Sequence, residues 1–230
     1  MKRLFECLAV AVVLSFSACT PKTEAEKFVD DLMGKMTLRE KLGQMTQVIP
    51  KTGVITGPEG EPMDIEALLK AGEVGSMLGV KKPEDIEKYQ RMAVDSSRLG
   101  IPVLFGFDII HGCKVIFPIN LAMACSWNVD AVRKSASIAA YEAASMGIAW
   151  TFSPMCDISA DPRWGRVSEG SGEDPFLAAK MSAAMVEGYQ GDDLSNPDNI
   201  AACVKHFACY GGAESVKDYN TVEVSERLLR

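Results

Sequence analysis

Histidine is scarce in this chain: only His111 and His206 occur among 230 residues. Seven cysteines are present, yet none forms a Cys-x-x-Cys pair, so neither a zinc site nor a recognisable disulfide framework can be read from their spacing. No Gly-x-Gly-x-x-Gly or Walker pattern follows any strand-like run, which removes support for nucleotide binding. An excess of basic residues is also missing. The net charge of −7 argues against nucleic acid as a partner and leaves neutral or cationic small molecules open. Nothing in the pattern asks for a metal or an organic cofactor.

A long hydrophobic run is lacking too. Met1-Lys2-Arg3 is a short basic start, and the apolar run from Cys7 to Phe16 is too short to span a bilayer. Phe16-Ser17-Ala18-Cys19 then places small residues just before a cysteine, which resembles a bacterial lipobox. The expectation is a signal peptide over 1–18, a lipid on Cys19 and a polar tether over 19–26. The mature chain would be exported, as a periplasmic or outer-membrane lipoprotein of a Gram-negative bacterium. It would touch the membrane only through the anchor at Cys19. Removal of 1–18 leaves enough chain for one sizeable core. Cys113, Cys125, Cys156, Cys203 and Cys209 then read as small core fillers, although an oxidising compartment would permit a bridge.

What is present is an alternation of periods. Apolar residues from Phe28 to Met45 recur at three- and four-residue spacings, predicting two helical segments, the second opened by Thr37 with Glu40 completing a capping box. Thr52 to Pro62 is turn-rich. Helices are expected over 64–71, 83–99, 130–147 and 175–190, and strands over 75–80, 102–108, 148–158 and 200–206. In the helix over 130–147, Val132, Ala136, Ala139, Ala140 and Ala143 make a flat face for close packing. Strand and helix alternating with long crossovers specify an α/β fold with a parallel sheet, doubly wound or barrelled. Without a nucleotide fingerprint the barrel is the better reading. Four strands amount to about half of a (β/α)8 TIM-like barrel, whose active site lies at the strand ends.

Those ends carry the candidates. Ile200 to Val204 delivers Lys205 and His206 into a Tyr-Gly-Gly break, and the run over 102–108 closes on Asp108. The plain alternative is a solvated strand end. The loop Asp161-Pro162-Arg163-Trp164-Gly165-Arg166 continues to Glu173 and Asp174, which suit the start of the next helix. An ion-paired cap over the rim would explain it structurally. Carboxylate, guanidinium, ammonium and imidazole without a metal pattern are also what a polyhydroxyl ring needs, since each hydroxyl both donates and accepts.

Seven segments stand in an order that resembles glycoside hydrolase family 3, in its periplasmic β-glucosidase branch: 35–45, Gly-Phe-Asp-Ile-Ile-His-Gly at 106–112, Phe-Ser-Pro-Met-Cys-Asp at 152–157, Asp-Pro-Arg-Trp-Gly-Arg at 161–166, Gly-Glu-Asp-Pro at 172–175, Lys-His-Phe at 205–207 and Val-Ser-Glu-Arg at 224–227. The resemblance implies an N-terminal (β/α) barrel over 27–230, a following α/β sandwich, and exo-acting, retaining removal of terminal β-glucosyl residues. It implies that Asp108, Arg166, Lys205 and His206 bind a β-glucoside or oligosaccharide, and that Arg163 is structural. Lys217 matches a downstream basic residue only loosely. The aminosugar branch has an Asp-x-His pair where this chain has Asp218-Tyr219-Asn220, which favours glucoside chemistry.

The family's nucleophilic Asp and acid Glu lie in segments beyond Arg230, and Asp157, Glu169, Glu173 and Glu226 do not occupy those positions. The expectation is therefore an incomplete barrel domain from a longer enzyme, inactive by itself. The rivals are a non-catalytic sugar-binding lipoprotein, β-xylosidase-type specificity, or two half-barrels pairing.

Overall fold

A computed structural model of the chain describes residues 22–50 and 64–229. The expected signal peptide, Cys19 and the turn-rich stretch at 52–62 fall outside those residues. Contacts divide the chain into two units, 1–41 and 42–230.

In the first unit, α1 (Glu24–Lys35) is opened by Thr23, whose hydroxyl accepts from the Glu26 N–H while the Glu26 carboxylate accepts from the Thr23 N–H. This satisfies donors that helix geometry leaves without intrahelical partners. Residues 24–26, counted with the tether, are thus already helical. Thr37 and Glu40 repeat the device at the start of α2 (Leu38–Gln44), as their spacing predicts. This helix runs across the division between the units.

The second unit continues with β1 (Gln47–Val48), α3 (Ile65–Lys70), β2 (Ser76–Leu78), α4 (Pro83–Ser96), β3 (Leu104–Phe107), α5 (Asn120–Ala124), α6 (Val129–Ala144), β4 (Trp150–Thr151), α7 (Pro175–Gln190) and α8 (Glu226–Leu229). The sheet is parallel throughout, in the order β1-β2-β3-β4. A fifth segment extends it: Trp150 bridges Ala201 and Met155 bridges Lys205, both parallel, and Cys203 N–H donates to the Ser153 carbonyl at 2.9 Å. Spatial order therefore equals chain order. A doubly wound sheet requires a reversal of that order, whereas right-handed crossovers without one lay every helix on the same face, as in a barrel.

Burial follows the pleat. Val48, Met77, Phe105 and Thr151 face the helices and are 4% exposed or less. Their neighbours Gln47 and Leu104 are exposed, and Ser76 and Trp150 half-buried, on the face that a closed barrel turns inward. The outer layer is tightest where α6 meets α7. All five residues of the predicted flat face of α6 are buried, against Ala178, Met181, Ala184, Met185 and Gly188 of α7. Asp174 caps α7 by accepting from the Leu177 N–H. Tyr189, near its end, donates from its buried hydroxyl to the Ile109 carbonyl at 2.6 Å and meets Ser153 Oγ at 3.2 Å. Burial pushes that phenol up to about 12.

Some expectations change. The strand expected over 148–158 is regular only at Trp150–Thr151, because Pro154 has no N–H to continue a ladder. The segment over 200–206 pairs through isolated bridges. Three short elements, β1, α5 and α8, went unread: two, five and four residues are too few to show a period. The five cysteines are not deep core fillers. Cys125 is exposed and the other four are half-buried, and no disulfide joins them. Burial raises the Cys113 and Cys156 thiols above the ordinary thiol range.

Candidate sugar site at the strand ends

Each expected site residue follows the carboxyl end of a parallel segment. Asp108 comes directly after β3, Lys205 and His206 end the fifth segment, and Arg166 sits in the loop between β4 and α7. The loop is held down by Trp164, 1% exposed, whose ring meets Tyr210 edge-on with centroids 5.5 Å apart. A single 3-10 turn, Val167–Glu169, then brings Glu169 beside Arg166. On the other side, Gly211 lets the 205–212 loop approach the chain after β4: a Cβ there would lie 2.1 Å from the Ile158 carbonyl oxygen.

These elements assemble two pairs. Lys205 Nζ lies 3.3 Å from Asp108 Oδ1, with the lysine side chain 14% and the aspartate 50% exposed. Arg166 Nη1 lies 3.3 Å from His206 Nε2. Sequence adjacency of Lys205 and His206 joins the pairs into one patch. All four expected residues are thus brought together. Phe207, next in line, is fully exposed.

Two carboxylates among those the sequence left without a role prove to be supports. Glu169 takes Arg166 in a two-pronged contact, Nε to Oε1 at 2.7 Å and Nη2 to Oε2 at 2.8 Å. Asp157, whose side chain is 1% exposed, accepts from the His206 main-chain N–H at 2.9 Å, from its Nδ1 at 2.8 Å and from the Tyr210 N–H at 3.1 Å. Tyr210 adds its ring, 5.6 Å beneath the Arg166 guanidinium, and bonds Asp218 through its hydroxyl. Asp157 closes a strand-like run just as Asp108 does, and that was the available signal. Glu169 and Tyr210 had none.

The other residues serve the frame. Arg163 forks onto Asp161 in an exposed pair, and hydrogen bonds from Arg163 hold the Asp161 carboxyl down to about 2. Lys217 is exposed, beyond a separate 3-10 turn, Glu214–Val216. His111 braces its own turn, its Nδ1 3.1 Å from the Phe117 carbonyl. Among the described residues no three His, Cys, Asp or Glu side chains converge to hold a metal ion.

Arg166 also decides how Glu169 titrates. The hydrogen bonds from Arg166 hold the Glu169 carboxyl below its ordinary value of 4.5, with Lys205 and His206 adding to the effect, and Glu169 in turn raises Arg166. A carboxylate depressed in the folded state stabilises the fold above the unfolded value and loses that contribution as pH falls through the lowered folded value. Glu169→Gln is therefore expected to cost its full amount at pH 7 and progressively less below pH 4.5. Urea midpoints of both proteins across that range check it. A difference that grows on acidification would contradict the pairing.

With this geometry in hand, residues 37–230 match the glycosyl hydrolase family 3 N-terminal domain. A periplasmic β-glucosidase of Salmonella typhimurium is 41% identical over 91% of this chain, which covers 26% of that protein. A putative β-xylosidase of Formosa agariphila is 31% identical over 89% of the chain and 29% of its own length. A β-glucosidase from Listeria innocua solved with isofagomine superposes with a TM-score of 0.80 at 45% identity, covering 89% of this chain and 29% of that one. The same enzyme has been solved with glucose. The chain thus spans between a quarter and a third of the length of these relatives.

Proposed function

The chain belongs to glycosyl hydrolase family 3 through that N-terminal domain, and from this membership we propose that it supplies the sugar-holding part of an exported, exo-acting, retaining β-glucosidase longer than these 230 residues. The observation that carries the reading is the convergence of Asp108 with Lys205 and of Arg166 with His206 at the ends of parallel segments. A pyranose presents a ring of hydroxyls. Asp108 accepts from them, Lys205 and Arg166 donate to them, and His206 meets another, so the four fix one terminal residue by charge-assisted bonds.

The proposed chemistry needs two further carboxyl groups about 5 Å apart, a nucleophile and a proton donor. The carboxylates of this patch are committed elsewhere: Asp108 to Lys205, Asp157 to His206 and Glu169 to Arg166. We place both catalytic groups outside the chain, in the longer protein. Export is supported by the periplasmic relative and by the residues of 1–18, and lipidation at Cys19 by the small residues before it. The xylosidase relative keeps a pentose at the same subsite as the alternative.

Hydrolysis of chromogenic β-glucoside and β-xyloside by the longer protein, beside calorimetric glucose binding to this chain, tests the proposal. Turnover of the glucoside by the longer protein and none by this chain is expected. Turnover by this chain would overturn the placement of the catalytic carboxyls, and binding without turnover in the longer protein would establish a sugar-binding lipoprotein instead.

A further inference from the structure

His206 is gripped from both sides, and the two grips are not chemically equivalent. On the inner side stands Asp157, its side chain 1% exposed, with Oδ2 at 2.8 Å from Nδ1 and at 2.9 Å from the residue's own main-chain nitrogen. Its second oxygen accepts from the Tyr210 N–H, so the carboxylate cannot swing away without stranding a backbone donor. On the outer side stands Arg166, its Nη1 3.3 Å from Nε2. A guanidinium has donors and no acceptor.

These facts settle where a neutral imidazole keeps its proton. Nε2 faces an obligate donor and so presents its lone pair. Nδ1 faces an obligate acceptor and so carries the hydrogen. We infer that Asp157 is a positioning residue that fixes His206 as the Nδ1–H tautomer, leaving Nε2 as an acceptor opposite the Arg166 donor. Asp157 reaches His206 across 49 residues of chain, and without its buried carboxylate nothing described at Nδ1 selects that form.

The functional meaning rests on the proposal that this patch holds a sugar. A group that displaces the 3.3 Å contact between Arg166 and His206 must accept from Nη1–H and donate to Nε2 at once. A hydroxyl does both, whereas a fluorine can only accept and an ammonium can only donate. The pair is therefore a reader of hydroxyl groups, and Asp157 sets the polarity with which it reads.

The tautomer is measurable without any sugar, because the chain has only two imidazoles. His111→Gln removes the one that braces its own turn, so long-range nitrogen–proton NMR correlation on the ¹⁵N-labelled chain then reports His206 unambiguously. The expected spectrum has Nδ1 at a pyrrole-like and Nε2 at a pyridine-like shift. The reverse order, or two pyrrole-like nitrogens, would overturn the inference. Because the Arg166 donor also disfavours a proton on Nε2, Asp157 is tested in an Arg166→Ala background, where Nδ1 is expected to stay pyrrole-like. Adding Asp157→Ala is then expected to move Nε2 to the pyrrole-like position, and unchanged shifts in that folded variant would show that Asp157 does not set the tautomer. Should the variant fail to fold, the spectrum of the single variant still decides the tautomer. Failure here leaves the hydrolase proposal standing, and failure of sugar binding leaves the tautomer standing.

Discussion

Asp108→Ala in the longer protein is expected to lower kcat/KM on a β-glucoside by roughly 10²–10³-fold, the largest effect of any change at this patch. The carboxylate ends β3 and stands half-exposed beside an ammonium that is 14% exposed. On the proposed reading Asp108 accepts from sugar hydroxyls, and losing about 3–4 kcal/mol of charge-assisted bonding there corresponds to that range. The substitution also leaves Lys205 without the counter-charge that lies 3.3 Å away, so the remaining side of the proposed subsite is misaligned. Steady-state kinetics divide the loss. A fall confined to kcat means bonds that strengthen in the transition state, whereas a rise in KM with kcat unchanged means uniform binding. Asp161→Ala is the matched control, since its fork with the largely exposed Arg163 is screened by water and should leave kcat/KM within about threefold. Equal losses at the two positions would remove Asp108 from the proposed sugar site.

Gly188→Ala is expected to destabilise the chain by about 3 kcal/mol, although alanine is the better helix former by about 1 kcal/mol. The reason is the seam between α6 and α7. A Cβ at Gly188 would stand 2.3 Å from the Arg133 carbonyl oxygen and 2.7 Å from the Ala136 Cβ, so the main chain of α6 would have to retreat. Gly34 in α1 offers the opposite case, with nothing within 4 Å of its added Cβ. Gly34→Ala should therefore stabilise by about 0.7 kcal/mol through the unfolded state and helix propensity. Urea unfolding of both variants checks the contrast. A neutral Gly188→Ala would mean that the two helices are packed less closely than this seam requires.

That seam was half legible beforehand. Alanines at 136, 139, 140 and 143 announced a flat face on α6, and the bounds of α7 follow from Asp174 and Pro175 at one end and Gly191 at the other. The facing glycine carried no signal, because a glycine inside a helix reads as a weakness until its neighbour is seen. Strands were legible as apolar runs but not in length: Ile148 to Ile158 is apolar enough for eleven residues, and Pro154 interrupts the ladder. Gln47 and Val48 could not announce β1 at all.

By itself the sequence determined the α/β alternation, the helix starts at Thr37 and Asp174 and the family, and it singled out four candidate residues, three at strand ends and Arg166 in a loop, since all of these rest on local period or on segments in order. Tertiary structure decided the pairings. Lys205 meets Asp108 across 97 positions, Arg166 meets His206 across 40, and Asp157 meets His206 across 49. No spacing rule reaches so far. Which carboxylate neutralises which cation depends on which parallel segments lie side by side and on a loop folded over Trp164, and those are properties of the packed sheet.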